Sequence, residues 1–236
     1  MNILVTGASK GIGRVIAQEL KAAKHKVFVS ARNEQQLKEL KPAGYILCDL
    51  SVEYDISKLG DFIAENKIDV LINNAGEYIY SEIDKTKINK LNHIVAVNLK
   101  APIYLTARAV PYMKEKGFGR IINIGSISGV MGEANASLYS ATKSGLIGFT
   151  KATALELAQF GITVNTINPG WVETELGKDS IEQSEFSQKE IIDCIPQKRF
   201  VEPKEIAGMI KYLISEEAKG VTGQSINLCA GLSVGF

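Results

Sequence analysis

Tyr139 and Lys143 stand four residues apart in Tyr139-Ser-Ala-Thr-Lys143, at the start of an apolar, helix-like run. At about 3.6 residues per turn, that spacing puts both side chains on one helix face, roughly one turn apart. A phenol ordinarily titrates near about 10, so it is a poor proton donor or acceptor at neutral pH unless something stabilises its anion, as an ammonium one turn away would. A half-buried tyrosine beside a solvated lysine has the same pattern, so the pair acquires chemical meaning only with further polar groups and a cofactor site. Ser126 is one such group. It follows the apolar run Gly119-Arg-Ile-Ile-Asn-Ile-Gly125 thirteen residues before Tyr139, at the carboxyl end of a predicted strand, where open α/β sheets bind ligands. Ser128 and Ser137 compete for the role, but Ser126 leaves the strand directly. Asn98 lies amid apolar residues of a helical pattern. Asparagine usually costs helix stability there, so it reads either as a satisfied local kink or as a placed polar group.

The cofactor signal is at the N-terminus. Asn2-Ile-Leu-Val-Thr6 predicts a buried strand, and Gly7-Ala-Ser-Lys-Gly11-Ile-Gly13 opens an amphipathic helix through about Ala23. Glycines at such a turn let backbone pass close to a ligand, and first-turn N–H groups with the helix dipole suit a pyrophosphate. The spacing is Gly-x-x-x-Gly-x-Gly rather than Gly-x-Gly-x-x-Gly, and a tight βα connection alone would also use glycines. The second strand, Lys26–Ala31, ends where an acidic residue would accept bonds from the ribose of NAD; Ala31 occupies that position and Arg32 follows. Arg32, with Lys10 in the glycine turn, predicts NADP(H) in preference to NAD(H). Asp49, after the strand Tyr45–Cys48, either meets an adenine amino group or caps the next turn. Asn73-Asn-Ala-Gly76 ends the strand Asp69–Asn73, and its small residues would let a ribose lie against the backbone.

Composition bounds the rest. The 236 residues, 45% hydrophobic and 22% charged, show no internal boundary and predict one domain over residues 1–236. A net charge of +1 gives no electrostatic case for nucleic acid or an anionic membrane. Two histidines and no close Cys/His cluster argue against a structural zinc site, and no metal is expected. Cys48, Cys194 and Cys229 are odd in number and far apart, which suits a reducing compartment. The apolar segment Ile3–Val5 is too short for a signal sequence or a membrane span, so the expected location is the cytoplasm.

Between these motifs the chain alternates strand and helix. A long helical pattern runs from about Ile88 to Lys116, broken by Asn98 and Pro102, and a helix from Tyr139 to about Phe160 leads into a strand, Ile162–Ile167. Asn168-Pro-Gly170 turns the chain sharply out of the sheet. A polar stretch, 176–198, including Ser180, Ser184 and Ser187, is either a flexible insertion or a small helical lid. Pro203 opens a last helix and Gln224–Cys229 a seventh strand. The expected fold is α/β: a Rossmann-type, doubly wound, mostly parallel seven-stranded sheet with helices on both faces.

Thr6-Gly-Ala-Ser-Lys-Gly-Ile-Gly13, Asn73-Asn-Ala-Gly76, Asn98, Ser126, Tyr139-x-x-x-Lys143 and Asn168-Pro-Gly170 stand in an order and spacing that resembles the short-chain dehydrogenase/reductase family of the one-domain type. The resemblance covers almost the whole chain and is closest to the 3-oxoacyl-acyl-carrier-protein reductases. It implies a catalytic group of Asn98, Ser126, Tyr139 and Lys143: Tyr139 as acid or base, Ser126 bonded to the substrate oxygen, Lys143 lowering the phenol pKa and binding the nicotinamide ribose, and Asn98 holding a water. Hydride would pass between the nicotinamide and the carbon of a ketone or secondary alcohol. The implied cofactor site comprises Gly7, Ser9, Lys10, Gly11, Ile12, Gly13, Arg32, Asp49, Leu50, Asn73, Ala75, Gly76, Tyr139, Lys143, Pro169, Gly170, Val172 and Thr174, the last bonding the carboxamide. The implied partners are a small carbonyl or alcohol substrate, with an acyl-carrier-protein-linked one among them, and a second copy in a homotetramer or homodimer. Gly117 and Phe160 stand where carrier-docking arginines are expected, with Lys114, Lys116 and Lys151 as substitute charges. Ala230-Gly231 replaces a common glycine pair. The opposed reading is a non-catalytic dinucleotide sensor or scaffold; intact Tyr139 and Lys143 favour the enzyme.

Overall fold

A computed structural model describes residues 1–183 and 186–234. Seven strands, β1 (Asn2–Thr6), β2 (Lys26–Ala31), β3 (Gly44–Leu47), β4 (Val70–Asn73), β5 (Gly119–Ile124), β6 (Ile162–Pro169) and β7 (Ser225–Leu228), form one sheet in the order β3-β2-β1-β4-β5-β6-β7. Every pairing is parallel. The chain first winds outward from β1 to β3 and then returns to place β4 on the other side of β1, so the order of winding reverses between β1 and β4. A crevice opens at the carboxyl ends of strands at such a point. The glycine turn after β1 and the Asn-Ala-Gly segment after β4 both lie there.

Ten α-helices are described: α1 (Gly11–Ala22), α2 (Glu34–Glu39), α3 (Glu53–Glu65), α4 (Ile88–Val95), α5 (Ala101–Lys116), α6 (Ser128–Met131), α7 (Ser137–Leu157), α8 (Glu175–Gln183), α9 (Gln188–Cys194) and α10 (Pro203–Leu213). Strand side chains alternate between the two faces. Ile3, Val5, Val29 and Ile72 pack with Ile16 and Leu20 of α1 and Ile206 and Ile210 of α10. Leu4, Phe28, Leu71 and Ile121 face the other way, against Leu59 of α3, Leu105 of α5 and Leu157 of α7. This is the expected three-layer architecture.

The differences are local. α3 has no counterpart in the sequence assignment, although Ile56, Leu59 and Ile63 follow a helical apolar spacing and are buried. The 88–116 pattern resolves into α4, a turn of π-helix at Ala96–Lys100 and α5, with Pro102 directly after the π turn. The helix carrying Tyr139 starts two residues earlier, at Ser137, and β6 continues through Pro169. The 176–198 stretch carries helices α8 and α9, the latter opened by a capping box between Ser187 and Glu190. Ser184 and Glu185 lie outside the described residues.

Helix α6 fixes where α7 sits. A Cβ on Gly129 would stand 2.7 Å from the backbone carbon of Lys143 and 2.7 Å from its Cβ, so the two helices are in contact at Lys143. Gly129→Ala is expected to destabilise the fold by about 1–3 kcal/mol through overpacking. Gly208→Ala, in α10 with nothing near its missing Cβ, is expected to stabilise by roughly 0.5–1 kcal/mol through helix propensity. Denaturant unfolding of both variants checks the opposed signs; equal effects would discount the contact.

Candidate active site

A cleft of about 960 Å³ runs along the carboxyl ends of the strands from the glycine turn to Tyr139. Its glycine end is built by close backbone approach. Gly7 and Gly11 have φ of 66° and 55°, and a Cβ on Gly13 would stand 2.4 Å from the Gly7 carbonyl oxygen. Asn74 ties the turn down: its side-chain amide donates to the carbonyl oxygens of Thr6 at 2.9 Å and Gly7 at 3.3 Å. Thr6 Oγ1 in turn accepts from the backbone N–H groups of Asn74 and Ala75, each at 3.0 Å. No side chain caps the N-terminus of α1 at Lys10. Its first-turn N–H groups are therefore available to an anion, which fits a dinucleotide pyrophosphate.

Ser9, Lys10, Ile12, Arg32, Asp49 and Leu50 line the same end. Both cations expected to favour NADP(H) hold carboxylates here: Lys10 is 2.8 Å from Glu175, the first residue of α8, and Arg32 is 3.1 Å from Glu77. Glu77 also pairs with His93 at 2.6 Å. Of the two roles open to Asp49, capping is visible: Oδ1 accepts from the N–H and hydroxyl of Ser51, and these bonds lower its pKa.

At the far end Ala75, Gly76, Ser126, Tyr139, Lys143, Pro169, Gly170, Val172 and Thr174 line the cleft. Lys143 is 3% exposed. Its Nζ donates to the Ile124 carbonyl oxygen at 2.8 Å and lies 5.6 Å from the centre of the Tyr139 ring. Burial lowers its pKa to about 8. Tyr139 is pushed up to about 12 by burial, with the hydroxyl of Ser126 drawing it down and the carboxylate of Glu133 pushing it further up. The phenol is thus shifted upward, whereas the influence expected of Lys143 was downward: in this arrangement desolvation outweighs the hydrogen bond with Ser126.

Two expected site residues do not line the cleft. Asn73 is buried within the sheet, where its amide donates to Asn123 at 2.9 Å. Asn98 lies behind the cleft wall with 0% exposure. Its Oδ1 accepts from the Glu77 N–H and its Nδ2 donates to the Glu77 carbonyl oxygen, both at 2.9 Å, and to Thr142 Oγ1 at 3.2 Å. Asn98 is therefore both alternatives at once, a π-turn residue and a placed amide that fixes the backbone beside Gly76. Ser128 is tied to Ser126 at 3.1 Å, and Ser137 is exposed at the start of α7.

Sequence reasoning gave Asn74 no role of its own and passed over Glu77, Tyr78 and Glu133. Asn74 had a signal in its place between the strand end and the small residues. Tyr78 packs edge-on against Tyr139, with ring centres 5.1 Å apart, and its hydroxyl donates to Glu133 at 2.7 Å.

Among the described residues no group of His, Cys, Asp and Glu is arranged to hold a metal, and no helix is long and apolar enough to cross a membrane. A family model described as enoyl-(acyl carrier protein) reductase matches residues 7–233. The 3-oxoacyl-[acyl-carrier-protein] reductase FabG of Salmonella typhimurium is 36% identical, covering 97% of this chain and 96% of that protein. Among solved structures, a variant of actinorhodin polyketide ketoreductase with NADPH superimposes with a TM-score of 0.92 at 37% identity, covering 99% of this chain and 97% of that one. The NADPH-dependent reductase YwfH, involved in bacilysin biosynthesis, has a TM-score of 0.92 at 29% identity over 98% of this chain and 97% of its own. The chain belongs to the short-chain dehydrogenase/reductase family.

Proposed function

We propose that this protein is an NADP(H)-dependent oxidoreductase that interconverts a ketone and a secondary alcohol, with 3-oxoacyl thioesters as its substrate class. The observation that carries this reading is convergence. The Tyr139 and Ser126 hydroxyls and the Lys143 ammonium meet at one end of a cleft whose other end is an uncapped helix N-terminus. A bound nicotinamide dinucleotide supplies or accepts the hydride. The chain supplies the acid and the positioning. With its pKa near 12, Tyr139 is protonated at neutral pH and enters reduction as the proton donor to the substrate oxygen. Ser126 stabilises the charge developing on that oxygen. Lys143 holds a positive charge beside the phenol and against Gly76, where a cofactor ribose fits. Asn98 keeps that edge in place through the Glu77 backbone.

The name of the Salmonella relative supports a carrier-linked substrate. Lys114 stacks over Phe160, 4.5 Å from the ring centre, which puts a cation where a docking arginine is expected. Lys116 is held by Asp69 instead. All three cysteines are free, in keeping with action in the cytoplasm. A dinucleotide sensor would have no need of a buried lysine beside a tyrosine.

Replacing Tyr139 with Phe is expected to lower kcat for ketone reduction by at least about a thousandfold while changing NADPH affinity less than about threefold. Full activity of this variant would remove the tyrosine from the mechanism.

The charge on Lys143 is present below its pKa of about 8 and lost above it. Accordingly kcat/KM for NADPH, which reports groups of the free enzyme, is expected to decline as pH rises through about 8. A profile flat to about pH 9.5 would show that no group titrating near about 8 governs cofactor capture.

NADPH is expected to bind at least about tenfold more tightly than NADH, and Arg32→Ala to close most of that gap in titrations of the purified protein. Equal affinities in the parent would overturn the NADP(H) assignment.

A further inference from the structure

We infer that Glu133 determines substrate specificity by charge: held on the substrate side of Tyr139, its carboxylate selects uncharged oxo esters and thioesters and rejects ketones that carry an anion next to the reacting carbonyl. This rests on the ketone-reduction reading above and deepens it. Glu133 follows Gly132, whose φ of 79° turns the chain back between α6 and α7. Both its oxygens are fixed. The Ser128 hydroxyl donates to Oε2 at 2.6 Å and the Tyr78 hydroxyl to Oε1 at 2.7 Å. Ser128 is itself bonded to Ser126, and Tyr78 packs on the Tyr139 ring. The carboxylate is therefore anchored from both sides to the two residues that meet the substrate oxygen, and it lines the cleft.

The partners of Glu133 are neutral hydroxyls, which satisfy its lone pairs without cancelling its charge. Among the described residues no cation pairs with it. Lys143, the cation beside Tyr139, faces the Ile124 carbonyl and Gly76 instead. A half-buried carboxylate acts through a lower effective dielectric than bulk water, so a second negative charge a few ångströms away is strongly disfavoured. That Glu133 also raises the Tyr139 pKa places its field at the reacting atoms. A free 3-oxo acid carries its carboxylate two bonds from the reacting carbon. An ester or thioester of the same acid is neutral there.

The test compares ethyl 3-oxobutanoate with 3-oxobutanoate as substrates of the purified, NADPH-loaded protein, since the two present the same ketone with and without the charge. The parent is expected to favour the ester by at least about tenfold in kcat/KM, Glu133→Gln to bring the two within about threefold, and Glu133→Asp to keep the preference. An unchanged ratio in Glu133→Gln, or no preference in the parent, overturns the inference. Glu133→Ala serves as the neutral variant if the glutamine protein does not fold. Should neither compound be reduced, the ketone-reduction reading falls. The selectivity is then read from equilibrium binding of both compounds to the NADPH-loaded protein, where the ester must bind more tightly in the parent and the gap must close in Glu133→Gln.

Discussion

An ammonium group held almost out of water is the constraint on which the rest of this site depends. Lys143 is 3% exposed, and its pKa falls from an ordinary 10.5 to about 8. Such a shift corresponds to on the order of 3 kcal/mol of penalty on the charged form. One carbonyl oxygen, that of Ile124, meets the Nζ, which is far less than water would offer. Its surroundings are therefore built for close approach. Gly76 leaves room beside the Nζ, which a Cβ there would meet at 3.3 Å, and Gly129 lets α6 lie against the Lys143 backbone. An anionic or hydroxyl-rich ligand against Gly76 would restore the solvation that burial removed. The buried lysine is thus a preformed demand for a particular kind of neighbour.

The same logic explains the π-helical turn at Ala96–Lys100. A uniform α-helix across 88–116 would leave the buried Asn98 amide among apolar neighbours, with nothing to gain. In the π-turn the Asn98 amide spends one acceptor bond and two donor bonds on Glu77 and Thr142. It thereby joins the segment after β4 to α7, the helix that carries Tyr139 and Lys143. A buried amide with all these groups satisfied is stabilising, whereas one left half-paired would be costly. The local helix defect and the fixed position of Gly76 are one feature.

Much of this was legible in the residue order, and for physical reasons. β-branched runs such as Asn2-Ile-Leu-Val-Thr6, each followed by glycine or small residues and an amphipathic segment, encode a parallel sheet locally, so the fold and the Ser126, Tyr139 and Lys143 positions could be read. α3 was as legible in its apolar spacing as α1 and went unassigned. Glu133 and Tyr78 were not legible, because their meaning is tertiary. Tyr78 follows β4 and Glu133 follows β5, and only the pairing of those two strands brings their loops together over Tyr139. Charge signs were legible for Lys10 and Arg32, but their partners Glu175 and Glu77 were not, being 165 and 45 residues away in sequence.

Those partners change what a cofactor preference means here. A lone arginine would simply add an attraction for a 2′-phosphate. Arg32 and Lys10 already hold carboxylates, so a phosphate must exchange with Glu77 and Glu175 rather than occupy free cations. Both pairs are solvent-exposed, with side-chain exposures of 64% for Arg32 and 60% for Lys10, and such pairs are worth little, about 0–1 kcal/mol. A phosphate with nearly two charges and several acceptor oxygens outcompetes a single carboxylate for a guanidinium. The exchange therefore still favours NADP(H). It also frees Glu175 at the start of α8, whose carboxylate pairs with Lys10 of the glycine turn.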